Sequence, residues 1–169
     1  RDGEIIGAAG VNPADLMFSK ELRQIDPYLK SPYQSNTSKL YDGGSGLVSN
    51  IDDYAQFALM LMNKGELNGV RILSESSVEL MSKNHLSDSV LSDGAAFGLD
   101  GIGFGLTMAV VKDAGRAGTY STNGEFSWGG AASTTFWVDP VNQLTAVMMT
   151  QYMPSDKYPL REDLKTLIY

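Results

Sequence analysis

Apolar residues recur at a helical spacing from Ile51 to Met62, where polar residues fill the positions between them. Residues three or four positions apart share one face of an α-helix. Ser49 and Asp52 have the arrangement of a helix start, and Gly65 predicts the helix end. We therefore predict a helix that buries one face, composed of Ile51, Tyr54, Ala55, Ala58, Leu61 and Met62.

A second, shorter helix is predicted farther along the chain. Ser74 can cap its N-terminus, and the helix is predicted to continue to about Asn84. Asn68-Gly69 predicts a tight turn between the two helices, because such turns need residues that tolerate a positive φ. Residues 1–45 show no sustained period, so we expect mostly loop there, with a short helix near Pro13–Gln24.

The apolar period changes to two after an irregular, glycine-rich stretch. Alternation from Ile102 to Val110 predicts one strand, and a second strand is predicted from about Ser127 to Val138. Asp139–Asn142 predicts a tight turn into a third strand, Leu144–Gln151. Three strands joined in this way predict an antiparallel meander.

Three glycines alternate within the first predicted strand, at positions 101, 103 and 105. A phosphate-binding loop would need its glycines to open a helix, and these do not. We interpret them as positions where another backbone or a large ring comes close to the strand. No nucleotide cofactor is predicted.

The chain ends in a predicted helix that starts at Pro159, with Glu162 and Asp163 in its first turn. Leu160, Leu164, Leu167 and Ile168 are predicted to face the sheet. Helices followed by strands and a last helix indicate an α+β fold. We assign residues 1–100 to a helical region with loops and residues 101–169 to the C-terminal strands and helix of a sheet region.

Composition excludes several function classes. The 169 residues carry 13 basic and 20 acidic side chains, for a net charge of −7, and the basic residues are scattered, so nucleic acid is not an expected partner. No apolar stretch reaches the roughly 20 residues of a membrane-spanning helix. The chain has no cysteine, which excludes disulfides and thiolate sites but does not indicate a compartment. Because Arg1 stands where a start methionine would, we expect the chain to begin within a longer protein.

Nucleophilic and metal sites lack their usual residues. His85, the only histidine, is interpreted as a surface or capping residue rather than a triad base. No serine has glycines two positions before and two after it, and no lysine has a serine three positions before it. A zinc site would need carboxylates alone. We therefore predict neither a nucleophile nor a metal site on this chain.

Several segments nevertheless resemble one family, the β-lactamase-like serine hydrolases, which include class C β-lactamases, D-Ala-D-Ala peptidases and family VIII esterases. The resemblance extends from about Tyr41 to Gln151. The segments are Tyr41–Ser49, Ile51–Phe57, Gly69–Ser74, Phe126–Ala132 and Phe136–Pro140. It implies a β-lactamase/transpeptidase-like fold, incomplete on this chain, and a reaction through an acyl-enzyme.

The family builds its site from three motifs, of which this chain holds one. Trp128-Gly129-Gly130 resembles the third motif, which is Lys-Thr-Gly in β-lactamases and peptidases and His-x-Gly or Trp-Gly-Gly in esterases. By resemblance these residues bind substrate, and the backbone N–H of Ala131 is an oxyanion donor. The resemblance implies Ser-x-x-Lys and Tyr-x-Asn upstream, in an N-terminal half of the same protein. Without the flanking matches, Trp128-Gly129-Gly130 would be interpreted as an aromatic residue and a bulge in a core strand.

Three functions remain open. Trp128 in place of lysine favours a carboxylesterase on small neutral esters, because tryptophan offers apolar surface and one N–H donor. A β-lactamase or D-Ala-D-Ala carboxypeptidase of the same fold, acting on an amide, is the first alternative. The second is a non-catalytic binding module that has lost the site.

Overall fold

The computed structural model describes residues 47–87, 89–90, 100–155 and 157–169. The chain divides into two units, Arg1–Ser49 and Asn50–Tyr169, and the fold below is that of the second. The predicted loop over residues 1–45 and the predicted helix near Pro13–Gln24 lie outside the described residues. Most of the irregular stretch after Ser87 also lies outside them.

Two helices form where the apolar spacing and the capping residues predicted them. Helix α1 spans Ile51–Met62 and helix α2 spans Glu75–Met81. The α2 cap is Ser74, as predicted, whereas the predicted α1 start at Ser49 is wrong by one residue. Asn50 caps α1, because its side-chain oxygen accepts a hydrogen bond from the Asp53 N–H at 3.0 Å.

The buried face of α1 differs from its predicted face at two positions. Ala58 and Leu61 are buried, as predicted. Ile51 in the first turn is 48% exposed, and Met60 is buried although the spacing had placed it elsewhere. Since α1 packs on strands rather than on another helix, its contact face is wider than a narrow helical stripe.

A small hairpin connects the two helices. Strands β1 (Glu66–Leu67) and β2 (Val70–Arg71) pair antiparallel around Asn68-Gly69. Both turn residues have positive φ, +52° and +79°, which is the conformation that the predicted tight turn requires.

The main sheet has five antiparallel strands in the order β3-β4-β5-β6-β7. An antiparallel meander is therefore confirmed, but two of its predicted strands are hairpins. The strand predicted over 102–110 is β3 (Ile102–Phe104) and β4 (Ala109–Val111). The strand predicted over 127–138 is β5 (Phe126–Gly129) and β6 (Thr135–Asp139). The third prediction is confirmed as β7 (Leu144–Met148), reached by a turn after Asp139.

Two of the alternating glycines lie against neighbouring chain, as interpreted from the sequence. A Cβ on Gly105 would lie 1.9 Å from the Met81 carbonyl oxygen, and a Cβ on Gly103 would lie 2.3 Å from Asn84 Oδ1. Gly105 also begins the turn between β3 and β4, and its N–H donates to the Met108 carbonyl at 2.7 Å. The close approach of the α2 end therefore explains both glycines and the break in the predicted strand.

The two faces of the sheet carry different layers. On one face, α1 and α2 pack in a single apolar core of Ala58, Met60, Leu61, Val78, Met108, Val110, Phe126, Phe136 and Val138. The opposite face carries helix α4 (Leu160–Ile168), and a four-residue helix α3 (Ala114–Ala117) follows β4. Helices before and after an antiparallel sheet confirm the α+β class.

The predicted inward face of α4 is wrong in its second half. Leu167 is 84% exposed and Ile168 is 38% exposed, whereas Lys165 is 1% exposed. Arg161 and Lys165 are four residues apart, so they share the face that meets the sheet. Among the described residues, no helix has both the length and the apolar character needed to cross a membrane.

Candidate functional site

The predicted site residues lie at one end of the β5–β6 hairpin. Trp128 and Gly129 are the last residues of β5, and Gly129 pairs with Thr135. The Gly130 N–H donates to the Thr134 carbonyl at 2.9 Å, which extends the ladder by one bond. Residues 131–133 therefore form the loop that closes the hairpin.

Both glycines are close to Thr134. A Cβ on Gly130 would lie 2.5 Å from Thr134 Oγ1, and a Cβ on Gly129 would lie 3.0 Å from the Thr134 carbonyl oxygen. A side chain at Gly130 would therefore displace the facing threonine hydroxyl. The pair leaves a narrow, uncovered stretch of backbone beside Trp128.

Ala131 is exposed, and its backbone N–H donates a hydrogen bond to no other residue that the structure describes. The amides of Gly130 and Ser133 are used, since Gly130 donates to the Thr134 carbonyl and the Ser133 N–H donates to the Gly130 carbonyl at 3.1 Å. Ala131 and Ala132 are thus consecutive residues whose N–H groups have no acceptor among the described residues, and Ala131 is the more exposed of the two.

The Trp128 ring lies on the sheet face opposite α4. Its side chain is 39% exposed and meets the Phe104 ring edge to face, with ring centroids 5.3 Å apart and an angle of 72° between the planes. Aromatic pairs in this arrangement stabilise each other beyond the area that they bury. Phe104 therefore orients the exposed surface of the tryptophan.

A cavity of about 630 Å³ opens between this end of the sheet and the start of α4. This volume is in the range of small-molecule sites. The wall includes Gly129, Gly130, Ala131, Thr135, Met148, Tyr158, Leu160, Arg161 and Glu162. Three of the four predicted site residues therefore share one cavity, and Trp128 is not among its lining residues.

A buried ion pair fixes α4 to the sheet beside this cavity. Lys165 Nζ lies 2.5 and 2.7 Å from the two carboxylate oxygens of Glu125 and donates to the Tyr120 carbonyl at 3.0 Å. Glu125 and Lys165 are 0% and 1% exposed. Burial disfavours both charges, so the pKa of Glu125 is raised and that of Lys165 is lowered, although each charge stabilises the other.

Asp139 and Tyr169 extend the buried polar cluster. The Tyr169 hydroxyl donates to Asp139 Oδ2 at 2.7 Å, and Thr122 Oγ1 donates to Asp139 Oδ1 at 2.6 Å. Burial by itself would raise the pKa of Asp139, but the hydrogen bonds from Thr122, Tyr169 and Asn142 outweigh it and lower that pKa. Burial and the bond to Asp139 raise the pKa of the Tyr169 phenol.

Arg161 joins the buried cluster to the strand that carries the motif. Its guanidinium donates to Ser127 Oγ at 2.7 Å and lies 3.8 Å from Glu125 Oε1. Arg161 also lines the cavity. The sequence did not predict this cluster, because charged residues in a terminal helix are usually exposed. The available signal was that Glu125, directly before β5, and Ser127 within it alternate with Phe126 and so share one face.

His85 lies away from the cavity. It is exposed, and its Nε2 is 2.8 Å from the Leu80 carbonyl at the C-terminal end of α2. That contact fits its interpretation as a surface or capping residue. The described histidine and carboxylates form no cluster of three or more that could hold a metal ion.

Comparisons with known proteins agree with this architecture. The profile of the Beta-lactamase family matches residues 6–168. Two curated Mycobacterium tuberculosis proteins are each 38% identical to this chain over 119 residues. They are "Protein Rv1367c" of strain H37Rv and "Uncharacterized protein MT1414" of strain CDC 1551. The match covers 67% of this chain and 29% of each relative.

Two solved structures share the fold. "EstCE1, a hydrolase with promiscuous acyltransferase activity" is 27% identical, with a TM-score of 0.63 over 75% of this chain and 31% of its own. Simvastatin synthase (LovD) from Aspergillus terreus is 20% identical, with a TM-score of 0.58 over 72% of this chain and 33% of its own. The chain thus spans about a third or less of these proteins. With the family profile matched along nearly its whole length, the chain belongs to the Beta-lactamase family.

Proposed function

We propose that this chain forms one wall of the active site of a serine hydrolase that cleaves small carboxylic esters through an acyl-enzyme. The observation that carries the proposal is the Ala131 N–H, which has no acceptor among the described residues; Ala131 is exposed, directly follows Gly129-Gly130 and lines a cavity of about 630 Å³. An amide in this position can stabilise the negative oxygen that develops when a nucleophile attacks an ester carbonyl.

The glycines support the same role. A reacting acyl group must lie against the strand for its oxygen to reach the Ala131 N–H. Gly129 has no side chain to cover the exposed backbone at this point, whereas the Thr134 hydroxyl takes the space where Gly130 would carry a Cβ. Removing one preorganised oxyanion donor costs other hydrolases about 10²–10³ in kcat, so the geometry of this loop should govern the rate.

Trp128 supports an ester rather than a β-lactam or peptide substrate. By resemblance its position would hold a lysine where the substrate carries a carboxylate, and an indole has no charge to offer such a group. Its ring, oriented by Phe104, is exposed on the sheet face opposite α4 and outside the cavity, so it would contact an uncharged apolar substituent that extends to that face. The similarity to EstCE1, a hydrolase with promiscuous acyltransferase activity, supports a reaction that transfers an acyl group.

The nucleophile and its base are proposed to lie in another part of the natural protein. None of the eight lysines has a serine three positions before it, so the Ser-x-x-Lys pair is absent from this sequence. The curated relatives extend well beyond the matched region, since only 29% of each is covered. We further propose that residues 1–100 belong to the helical region and residues 101–169 to the sheet region of that protein.

The natural protein that contains this chain tests the proposal. We expect it to hydrolyse p-nitrophenyl butyrate, with little turnover of nitrocefin, because Trp128 cannot bind the β-lactam carboxylate. A strong preference for nitrocefin would instead favour a β-lactamase, and hydrolysis of neither substrate would favour a binding module without catalysis. Ester turnover by these 169 residues alone would contradict a nucleophile located elsewhere.

A further inference from the structure

The loop that carries Ala131 ends in a residue with an unusual backbone. Ser133 has φ of +61°, in the left-handed region. Three-residue hairpin loops often place their last residue in this conformation, and glycine usually occupies it because a Cβ is unfavourable there. A serine at this position therefore costs conformational free energy, which a favourable contact of its side chain can offset.

The Ser133 side chain is buried and has a defined partner. Its hydroxyl donates to the Tyr152 carbonyl at 2.7 Å, across a separation of 19 residues. Tyr152 belongs to the segment that follows β7. The hydroxyl therefore fastens the loop to a part of the chain outside the hairpin.

The preceding loop residue is fastened to the same segment. The Ala132 carbonyl accepts hydrogen bonds from the Tyr152 N–H, at 3.2 Å, and from Thr150 Oγ1. Two consecutive loop residues thus make three hydrogen bonds to residues 150–152. Ala131, directly before them, makes no such bond within the described part of the chain.

We propose that Ser133 and Thr150 are positioning residues, whose hydroxyls hold the loop in the orientation that presents the Ala131 N–H to the reacting carbonyl. This inference rests on the proposed function. The hairpin's internal bonds fix the shape of the loop, whereas these two hydroxyls fix its direction relative to the rest of the sheet. Small misalignments of a catalytic donor are costly, since a displacement of about 1 Å can reduce a rate by about 10².

Ser133→Gly tests the contribution of the Ser133 hydroxyl without adding backbone strain. Glycine adopts the left-handed conformation without cost, so the variant removes the bond to Tyr152 and relieves strain at the same time. We expect kcat for p-nitrophenyl butyrate to fall by about tenfold or more, with KM and the melting temperature close to those of the unmutated protein. Thr150→Val should lower kcat in the same way, and Thr150→Ser, which keeps the hydroxyl, should restore it.

Gln143→Gly is the matched control. Gln143 is also a non-glycine residue with positive φ, +52°, and it lies in the turn between β6 and β7 at the other end of the sheet. The Gln143→Gly variant should relieve the same kind of backbone strain as Ser133→Gly and leave kcat unchanged.

The outcomes separate this inference from the proposed function. An unmutated protein without ester hydrolysis would overturn the proposed function and the positioning role with it. Active unmutated protein whose Ser133→Gly and Thr150→Val variants keep their kcat would overturn the positioning role only. If these variants lose melting temperature but not kcat, the hydroxyls are purely structural and the inference is wrong. If Ser133→Gly does not fold, the kcat values of Thr150→Val and Thr150→Ser decide whether the hydroxyl positions the loop.

Discussion

Asp139 is the carboxylate that the fold stabilises most clearly in its charged form. It is fully buried yet accepts hydrogen bonds from Thr122, Tyr169 and Asn142, together with the Val141 N–H at 3.0 Å. Each of these donors favours the carboxylate over the protonated acid, and together they outweigh burial. One side chain thereby joins the turn after β6 to the C-terminal residue of the chain.

This arrangement predicts a specific acid sensitivity. The folded pKa of Asp139 is lowered below its ordinary value of 3.8, so the unfolded state takes up the proton first as the pH falls. The stabilisation is fully present above the unfolded pKa and is lost as the pH decreases through the folded pKa. Urea unfolding between about pH 7 and pH 2 should show this loss, and Asp139→Asn should be less stable at neutral pH but less pH-dependent. If the free energy of unfolding of Asp139→Asn fell as steeply with decreasing pH as that of the unmutated protein, Asp139 would not be the source of the acid sensitivity.

At the scale of elements, α4 is held to the sheet by charge more than by its apolar face. Lys165, which is not on the predicted apolar face, is buried against Glu125. Leu167 is exposed instead. Buried ion pairs of this kind add little net stability over apolar packing, but they penalise the loss of one partner severely.

Lys165→Met should therefore destabilise the protein strongly, because it removes the charge that pairs with Glu125 as well as the hydrogen bond to the Tyr120 carbonyl. It leaves Glu125 buried without its principal counter-ion, and we expect the free energy of unfolding to fall by about 3–5 kcal/mol in urea titrations. The double variant Glu125→Gln/Lys165→Met should recover part of that loss, because no uncompensated charge remains buried. Lys83→Met, at an exposed lysine, is the control and should change little. A double variant as unstable as Lys165→Met would show that α4 docking depends on packing instead.

The helices could be predicted better than the strands, for a physical reason. Helix signals are local, and the Ser74 cap and the Ile51–Met62 spacing both identified real elements. The turn after Phe104 carries no strong turn pair and apolar alternation continues through it, whereas Gly129-Gly130, a pair typical of turns, was interpreted as lying within one strand. What breaks the strand predicted over 102–110 is the tertiary contact of the α2 end against Gly105, and a single sequence does not reveal it.

At the scale of the whole molecule, part of the candidate site could be predicted from the sequence. Resemblance to the family identified Trp128-Gly129-Gly130 and Ala131, and the structure groups Gly129, Gly130 and Ala131 at one cavity. The buried cluster around Glu125 was missed, because Lys165 and Tyr169 are 40 and 44 residues away from Glu125 in the sequence and meet it only when α4 packs on the sheet. That the Ala131 N–H has no acceptor within the described part of the chain is likewise a property of the folded hairpin.

The central claim, that the Ala131 N–H is an oxyanion donor, can be tested by removing that one hydrogen-bond donor. Ala131 is the second residue of the turn closed by the Ser133 N–H and the Gly130 carbonyl, a position that proline favours. Ala131→Pro therefore deletes the N–H without breaking a hydrogen bond among the described residues. Ala131→Gly keeps the N–H and is the control.

Measuring kcat for p-nitrophenyl butyrate in the natural protein and in these two variants gives the most direct answer. The account predicts that Ala131→Pro loses about 10²–10³ in kcat while its melting temperature stays near that of the unmutated protein. Ala131→Gly should keep most of the activity. A folded Ala131→Pro variant with unreduced kcat would contradict the account.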